Sequence, residues 1–141
     1  MRLIETSLQI ALRAYAGKTD KAGREYILHP LRVMAKMSTD LERSTALLHD
    51  VLEDSDITAE ELLAEGIPAE VVEAVQCLTK REGEDYLEFV ARTKQNRLAR
   101  RVKIADIEDN IDVLRLSMLG ASDLERIQRY HAAWRLLQDE A

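Results

Sequence analysis

The sequence predicts an all-α protein, a compact bundle of about seven or eight helices forming a single domain over residues 1–141. Three observations lead there. Apolar residues recur at the three- and four-residue spacing that lines one face of a helix. Only five glycines and two prolines punctuate the chain, and aromatic residues make up 4% of it although 46% is apolar, whereas strands and their turns call for more of both kinds. At 141 residues one core suffices, since a chain of this size buries roughly two thirds of the surface it exposes when unfolded.

The elements follow in order. Leu3, Ile4, Leu8, Ile10, Ala11 and Leu12 make an amphipathic first helix that stops at Gly17, a residue suited to a left-handed cap. A polar loop, G-K-T-D-K-A-G-R-E-Y, leads to Ile27-Leu28-His29-Pro30, where proline favours the first turn of a helix through Val33 and Met37. Asp40 is the predicted N-cap of a helix running from Leu41 to about Asp54. Thr58 with Glu61 has the capping-box form, which gives a short helix ended by Gly66, and Pro68 opens the next, to Thr79. Beyond the K-R-E-G-E-D turn comes a helix through Tyr86, Phe89 and Val90, then a long one from about Arg97 to Leu114. A last helix starts at Ser122, which with Glu125 again matches the capping box. No repeat, linker or convincing strand pattern interrupts the series.

Charge narrows the function. Twenty basic against 26 acidic residues leave a formal net charge of −6, which repels a phosphate backbone at long range and argues against a nucleic acid polymer as the partner. The single Cys77 cannot form an intramolecular disulfide and sits in an apolar run, as a neutral thiol in a reducing compartment would. Glu5 interrupts what would have to be the apolar part of a signal peptide, and no apolar run approaches the ~20 residues a membrane span needs. The expected location is the cytoplasm, with no membrane partner. The apolar stripe of the final helix would allow a homodimer.

The chemistry concentrates in A-L-L-H-D-V-L-E-D-S, residues 46–55. On a helix His49 falls one turn from Glu53, and Asp50 one turn from Asp54, so acid and imidazole crowd one edge. Such crowding calls for a positive charge, and a divalent cation answers it. Other ligands are on offer: His29, fixed at a helix start by Pro30, and Asp106, in V-K-I-A-D-I-E-D-N with apolar neighbours. Two imidazoles and two carboxylates suit Mn²⁺, Fe²⁺ or Zn²⁺ better than Ca²⁺ and leave coordination positions open for water or substrate. Each residue also has a bland reading: His29 as a helix-start residue, His49-Asp50 as a chance pair, Asp106 as a carboxylate bonded to backbone amides. Their joint occurrence with Glu53, Asp54 and Asn110, one turn beyond Asp106, favours a metal site.

The blocks Y-I-L-H-P (residues 26–30), L-L-H-D-V-L-E-D-S (47–55) and V-K-I-A-D-I-E-D-N (102–110) resemble, in order and spacing, the signatures of the HD-domain hydrolases that act on the alarmone (p)ppGpp. These are the RelA/SpoT-type hydrolase domains and their small stand-alone relatives. The resemblance implies an all-helical enzyme with one Mn²⁺, held by His29, His49, Asp50 and Asp106. It implies further that Glu53 and Asp54 orient or deprotonate the attacking water, and that Asn110 lies on the nucleotide side. A substrate with several negative charges also needs cations nearby, for which Lys18, Lys21, Arg24 and Lys103 are the candidates.

One position departs from the pattern. Asp20 precedes Lys21 where the family tends to carry two consecutive basic residues, one of which helps hold the base. The leading expectation is thus a pyrophosphohydrolase acting on (p)ppGpp or a related phosphorylated nucleotide, and hydrolysis only, given the length of the chain. The alternatives are an HD phosphohydrolase that releases orthophosphate from another nucleotide, and a non-catalytic binding module that keeps the metal as a structural pin. His131 and Trp134 read as packing or surface residues; an aromatic at Tyr130 could stack on a base.

Overall fold

The computed structural model describes residues 2–138, and the helical periodicity of the sequence becomes nine α-helical segments in it. They are α1 Leu3–Ala14, α2 Leu28–Ala35, α3 Asp40–Leu48, α4 Val51–Asp54, α5 Ala59–Ala64, α6 Ala69–Cys77, α7 Tyr86–Thr93, α8 Arg97–Asn110 and α9 Ala121–Gln138. A single 3-10 turn, Val113–Arg115, precedes α9. Among the described residues the only β-type pairing is an isolated bridge between Thr19 and Glu25, which closes the loop after α1.

Helix α3 is the axis of the bundle, packed against α1, α2, α6 and α8. On one side Ile10, Leu48, Val51, Leu62, Val71 and Val75 form a fully buried cluster from α1 and α3 to α6. On the other, Val33, Ala46, Ala74, Val102 and Ala105 bring α2, α3, α6 and α8 together. Alanines at these crossings leave little side-chain bulk between the helices, which permits close approach. A third cluster, Val90, Ile107, Ala133 and Leu137, seats α9 on α7 and α8, with Tyr130 and Trp134 packed against it. Part of the apolar stripe of α9 is therefore covered within the chain.

Several helix ends differ from expectation, each for a local reason. Thr39, not Asp40, caps α3: its backbone is extended (φ −123°, ψ 161°). Its hydroxyl accepts from the Glu42 N–H at 3.2 Å, and Glu42 accepts in return from the Thr39 N–H at 3.3 Å. Asp40 instead pairs with Arg43 at 3.0 Å. The helix expected to run from Leu41 to Asp54 is broken at His49-Asp50, because two donors claim other partners. The His49 ring takes the Ala46 carbonyl at 2.7 Å, and the Asp50 N–H goes to the Tyr15 hydroxyl at 3.1 Å. Helix α6 ends at Cys77, short of Thr79. Helix α8 stops at Asn110 because Arg115 folds back onto the Asp109 carbonyl at 2.7 Å and Asp112 accepts from the Leu114 N–H at 3.1 Å, starting the 3-10 turn. Helix α9 begins at Ala121, one residue before Ser122, with Asp123 accepting from the Gly120 N–H at 2.8 Å. The Thr58 cap of α5 is as expected, although Glu61 accepts from the Thr58 hydroxyl where a full capping box would use its amide.

Candidate metal centre

The break between α3 and α4 turns His49 and Asp50 toward α2 and α8. His29, on the first turn of α2, and Asp106, on the buried face of α8, meet them there. His29 Nε2 lies 2.8 Å from Asp106 Oδ1, and His49 Nε2 lies 3.4 Å from the same oxygen and 3.2 Å from Asp50 Oδ2. The two imidazole rings sit edge to face at 5.2 Å. His29, His49 and Asp50 offer ligand atoms within 4.8 Å of one another. His29, His49, Asp50 and Asp106, from three stretches of the sequence, are thus brought together.

Hydrogen bonds fix which ring nitrogens face that point. His49 Nδ1 donates to the Ala46 carbonyl, so Nε2 carries a lone pair, and this buried atom has no hydrogen-bond partner among the described residues. It looks onto carboxylate oxygens, which also offer only lone pairs. His29 Nδ1 donates to Asp109 Oδ2 at 2.6 Å, which turns His29 Nε2 inward, within hydrogen-bond distance of Asp106 Oδ1 at 2.8 Å. Asp109 is held by Arg32 Nε at 2.7 Å and Nη2 at 3.0 Å, with Arg115 at 3.6 Å. Such a donor set fits a divalent cation: two oriented imidazoles, two carboxylates and one orphaned buried acceptor.

The electrostatics agree. Burial alone would disfavour charge at both histidines, but Asp50 and Asp106 around His49, and Asp106 and Asp109 around His29, outweigh it and raise their affinity for a proton. Burial likewise works against an ionised Asp106, yet Lys103 and the two imidazoles hold it well below the usual carboxylate range. In the metal-free protein this site seeks a positive charge.

The remaining predicted residues divide. Lys103 Nζ turns inward, bonds Asp106 Oδ2 at 2.9 Å and lies 4.8 Å over the Phe89 ring, so it braces a candidate ligand. Asn110 donates to Asp106 Oδ1 at 3.1 Å and also lines a cavity of ≈ 420 Å³ next to His29. Lys21 and Asp20 line that cavity as well; Lys18 instead donates to the Asp54 carbonyl, and Arg24 contributes its amide to Asp20 Oδ1 at 3.0 Å. Glu53 accepts from the Lys80 amide at 2.5 Å. Burial, and the neighbouring Asp50, hold the carboxyls of both Glu53 and Asp54 above their usual range. Tyr130 reaches the cavity wall, whereas Trp134 donates to Glu108 at 3.2 Å, away from the centre.

Sequence reasoning missed six participants. Tyr26 donates to Asp50 Oδ2, Tyr15 takes the Asp50 amide, and Asp109 orients His29; Arg115 and Arg126 line the cavity with Arg32. Asp109 could have been found, since it lies one turn beyond Asp106 on the face that carries Asp106. The arginines carried no signal, because they come from α2, the turn after α8 and α9 and meet only in the fold.

The class that the geometry defines is an all-helical domain with a His/Asp cluster held between three helices. The fold is shared with a solved metazoan ortholog of SpoT, described as hydrolyzing ppGpp and playing a role in starvation responses. The two superpose with a TM-score of 0.79 at 20% identity, over 98% of this chain and 86% of that one. Among curated proteins, the chain is 34% identical over 125 residues to guanosine-3′,5′-bis(diphosphate) 3′-pyrophosphohydrolase of Vibrio cholerae, covering 79% of this chain and 18% of that protein. It is 30% identical over 123 residues to the Aquifex aeolicus protein of the same name, and 32% over 120 residues to the bifunctional (p)ppGpp synthase/hydrolase SpoT of Escherichia coli. The chain spans under a fifth of the length of these relatives, 18%, 18% and 17% respectively. The resemblance to RelA/SpoT-type (p)ppGpp hydrolase domains that the three blocks carry is thereby borne out. No family model matches the chain. Among the described residues, no helix is long and apolar enough to cross a membrane.

Proposed function

We propose that this chain is a metal-dependent pyrophosphohydrolase that removes the 3′-pyrophosphate from (p)ppGpp or a related 3′-pyrophosphorylated nucleotide, with one Mn²⁺ held by His29, His49, Asp50 and Asp106. The observation that carries the reading is the orphaned, buried lone pair of His49 Nε2, faced by Asp50 and Asp106 oxygens at 3.2 and 3.4 Å. Lone pairs so arranged repel unless a cation or a proton lies between them. Imidazole with carboxylate suits Mn²⁺, Fe²⁺ or Zn²⁺, and the similarity to the curated pyrophosphohydrolases supports the choice of reaction.

When bound, the ion supplies a Lewis acid for a phosphoryl oxygen and lowers the pKa of water toward neutrality. The side chains supply the rest. Glu53 and Asp54, whose burial keeps their proton affinity above that of a free carboxylate, orient the attacking water, and one of them accepts its proton. Asn110, fixed by Asp106, presents its amide at the join between centre and cavity. Lys21, Arg32, Arg115 and Arg126 line the cavity, with Lys18 and Arg24 in the loop before His29, and together concentrate the positive charge that a polyphosphate needs in an acidic protein. Lys103 serves the substrate indirectly, by keeping Asp106 ionised. The lone Cys77 thiol is compatible with a reducing, cytoplasmic setting for this chemistry.

One observation favours a second reading. Asp20 stands on the cavity wall where the family tends to place a cation, so the base that fits here can differ from guanine. The test is to incubate Mn²⁺-loaded protein with a nucleotide panel that includes ppGpp and its adenine counterpart, and to identify the products. Pyrophosphate with GDP or GTP supports the first reading. Orthophosphate supports an HD phosphohydrolase of another nucleotide, and metal retention without turnover of any nucleotide supports a non-catalytic, metal-pinned binding module.

A further inference from the structure

Arg92, on α7, spends its whole guanidinium on one loop. Its Nη1 donates to the Cys77 carbonyl at 2.9 Å and its Nη2 to the Thr79 carbonyl at 3.0 Å. Its Nε and Nη2 grip the two oxygens of Glu84, each at 2.9 Å. The Phe89 ring lies 5.6 Å from the guanidinium carbon. Inside the loop the Arg81 amide donates to Glu84 Oε1 at 3.0 Å, and the Glu84 amide donates to the Arg81 carbonyl at 3.1 Å. Residues 78–85 are thus closed into a rigid turn from both ends, and the Arg92 fork holds the Glu84 carboxyl down at about 2.

The product of this clamp is the direction of a single amide. Lys80 lies between two residues that the network fixes, and its N–H leaves the loop to donate to Glu53 Oε1 at 2.5 Å, across 27 positions of sequence. Glu53 sits on α4, a helix of four residues that can hold a long side chain only loosely by itself. Arg92 also closes the C-terminal end of α6 through the Cys77 and Thr79 carbonyls, so the loop that carries Lys80 is tied to that helix. What the Arg92–Glu84 pair does is bring a fixed donor to Glu53, one of the two carboxylates proposed to act on the attacking water.

We propose that Arg92 is a positioning residue for Glu53, acting through Glu84 and the Lys80 amide. The inference rests on the reading of Glu53 as the proton acceptor. General-base catalysis demands geometry first, and a displacement on the order of 1 Å in a reacting group can cost about 100-fold in rate.

The test is steady-state kinetics of the full, Mn²⁺-loaded chain with whichever nucleotide of the panel it turns over. Arg92→Lys keeps the charge and loses the fork; Glu84→Gln keeps the shape and loses the charged acceptor. Each is expected to lower kcat by about 10- to 100-fold, with KM and bound Mn²⁺ per chain unchanged. The loss should vanish in the residual turnover of a Glu53→Gln background, read with enzyme in excess over nucleotide, because the group being aimed is already gone. An equal loss in both backgrounds, a raised KM or lost metal in place of the lowered kcat, or no loss at all would overturn the inference. Thermal unfolding checks each variant, and Glu84→Gln carries the comparison alone should Arg92→Lys fail to fold. A wild type inert toward every nucleotide overturns the functional reading and the clamp together; an active wild type with unresponsive variants overturns the clamp alone.

Discussion

Replacing Asp109 with Asn is expected to weaken Mn²⁺ binding by about 10- to 100-fold although Asp109 is not a proposed ligand. The geometry gives the reason. Asp109 Oδ2 accepts from His29 Nδ1 at 2.6 Å and from Arg32 Nη2 at 3.0 Å, while Oδ1 accepts from Arg32 Nε at 2.7 Å. Both oxygens are acceptors in use, and the residue is buried. An asparagine has one oxygen and an amide that only donates, so either Arg32 or His29 must meet a donor. If the amide faces His29, the imidazole moves its proton to Nε2, the atom aimed at the metal, and the ligand is lost or must first be deprotonated. If it faces Arg32, His29 keeps its tautomer but loses a charged partner, which lowers its basicity. The expected factor corresponds to about 1.4–2.7 kcal/mol. Calorimetric titration of Mn²⁺ into the chelator-stripped variant and wild type at pH 7.5 measures it. An unchanged affinity in a normally folded variant would refute the claim that Asp109 sets the His29 tautomer.

Three further outcomes follow. Asp50→Ala should abolish both metal retention and turnover, whereas Glu53→Gln should lose turnover and keep the metal, both read from bound Mn²⁺ per chain beside product formation; full activity of Glu53→Gln would remove its proposed role. The metal-free protein should lose stability as pH rises: both histidines have raised pKa values in the fold, so their contribution is fully present below about 6.5, the unfolded value, and disappears as pH passes through the folded ones. Saturating Mn²⁺ should cancel that decline, and a metal-free melting temperature that climbs between pH 6 and 8 would contradict the sign. Leu62→Ala, at a fully buried position of the α1–α6 cluster, should cost about 2–5 kcal/mol in urea unfolding without changing the metal content of the folded fraction.

Much of this was legible in the letters, and the division is physical. The apolar spacing marked every long helix, since burying a face is a property that each segment declares locally; Ile10 and Leu12 lie two positions apart, one fully buried and the other half exposed. The ligand candidates were legible because few residue types can hold a divalent ion, and His29, His49, Asp50 and Asp106 do meet. The break at His49-Asp50 was not legible. A helix ladder looks continuous in the sequence until a hydroxyl from Tyr15, 35 positions away, takes the amide that would have closed it. The same holds for Lys103, a candidate for meeting the substrate's charge that bonds Asp106, and for Arg32, Arg115 and Arg126, which come from α2, the turn after α8 and α9 to line one cavity. Local patterns predicted elements; long-range partners decided where their ends and charges went.

The central claim is that four side chains from three parts of the chain share one divalent cation. An anomalous difference map from a crystal grown with Mn²⁺, recorded on the high-energy side of the manganese edge, tests it most directly. One strong peak is expected at coordination distance from His29 Nε2, His49 Nε2 and a carboxylate oxygen each of Asp50 and Asp106, with solvent completing the sphere. A map with no peak there, or with the ion bound elsewhere while His49 Nε2 still faces bare carboxylates, would contradict it.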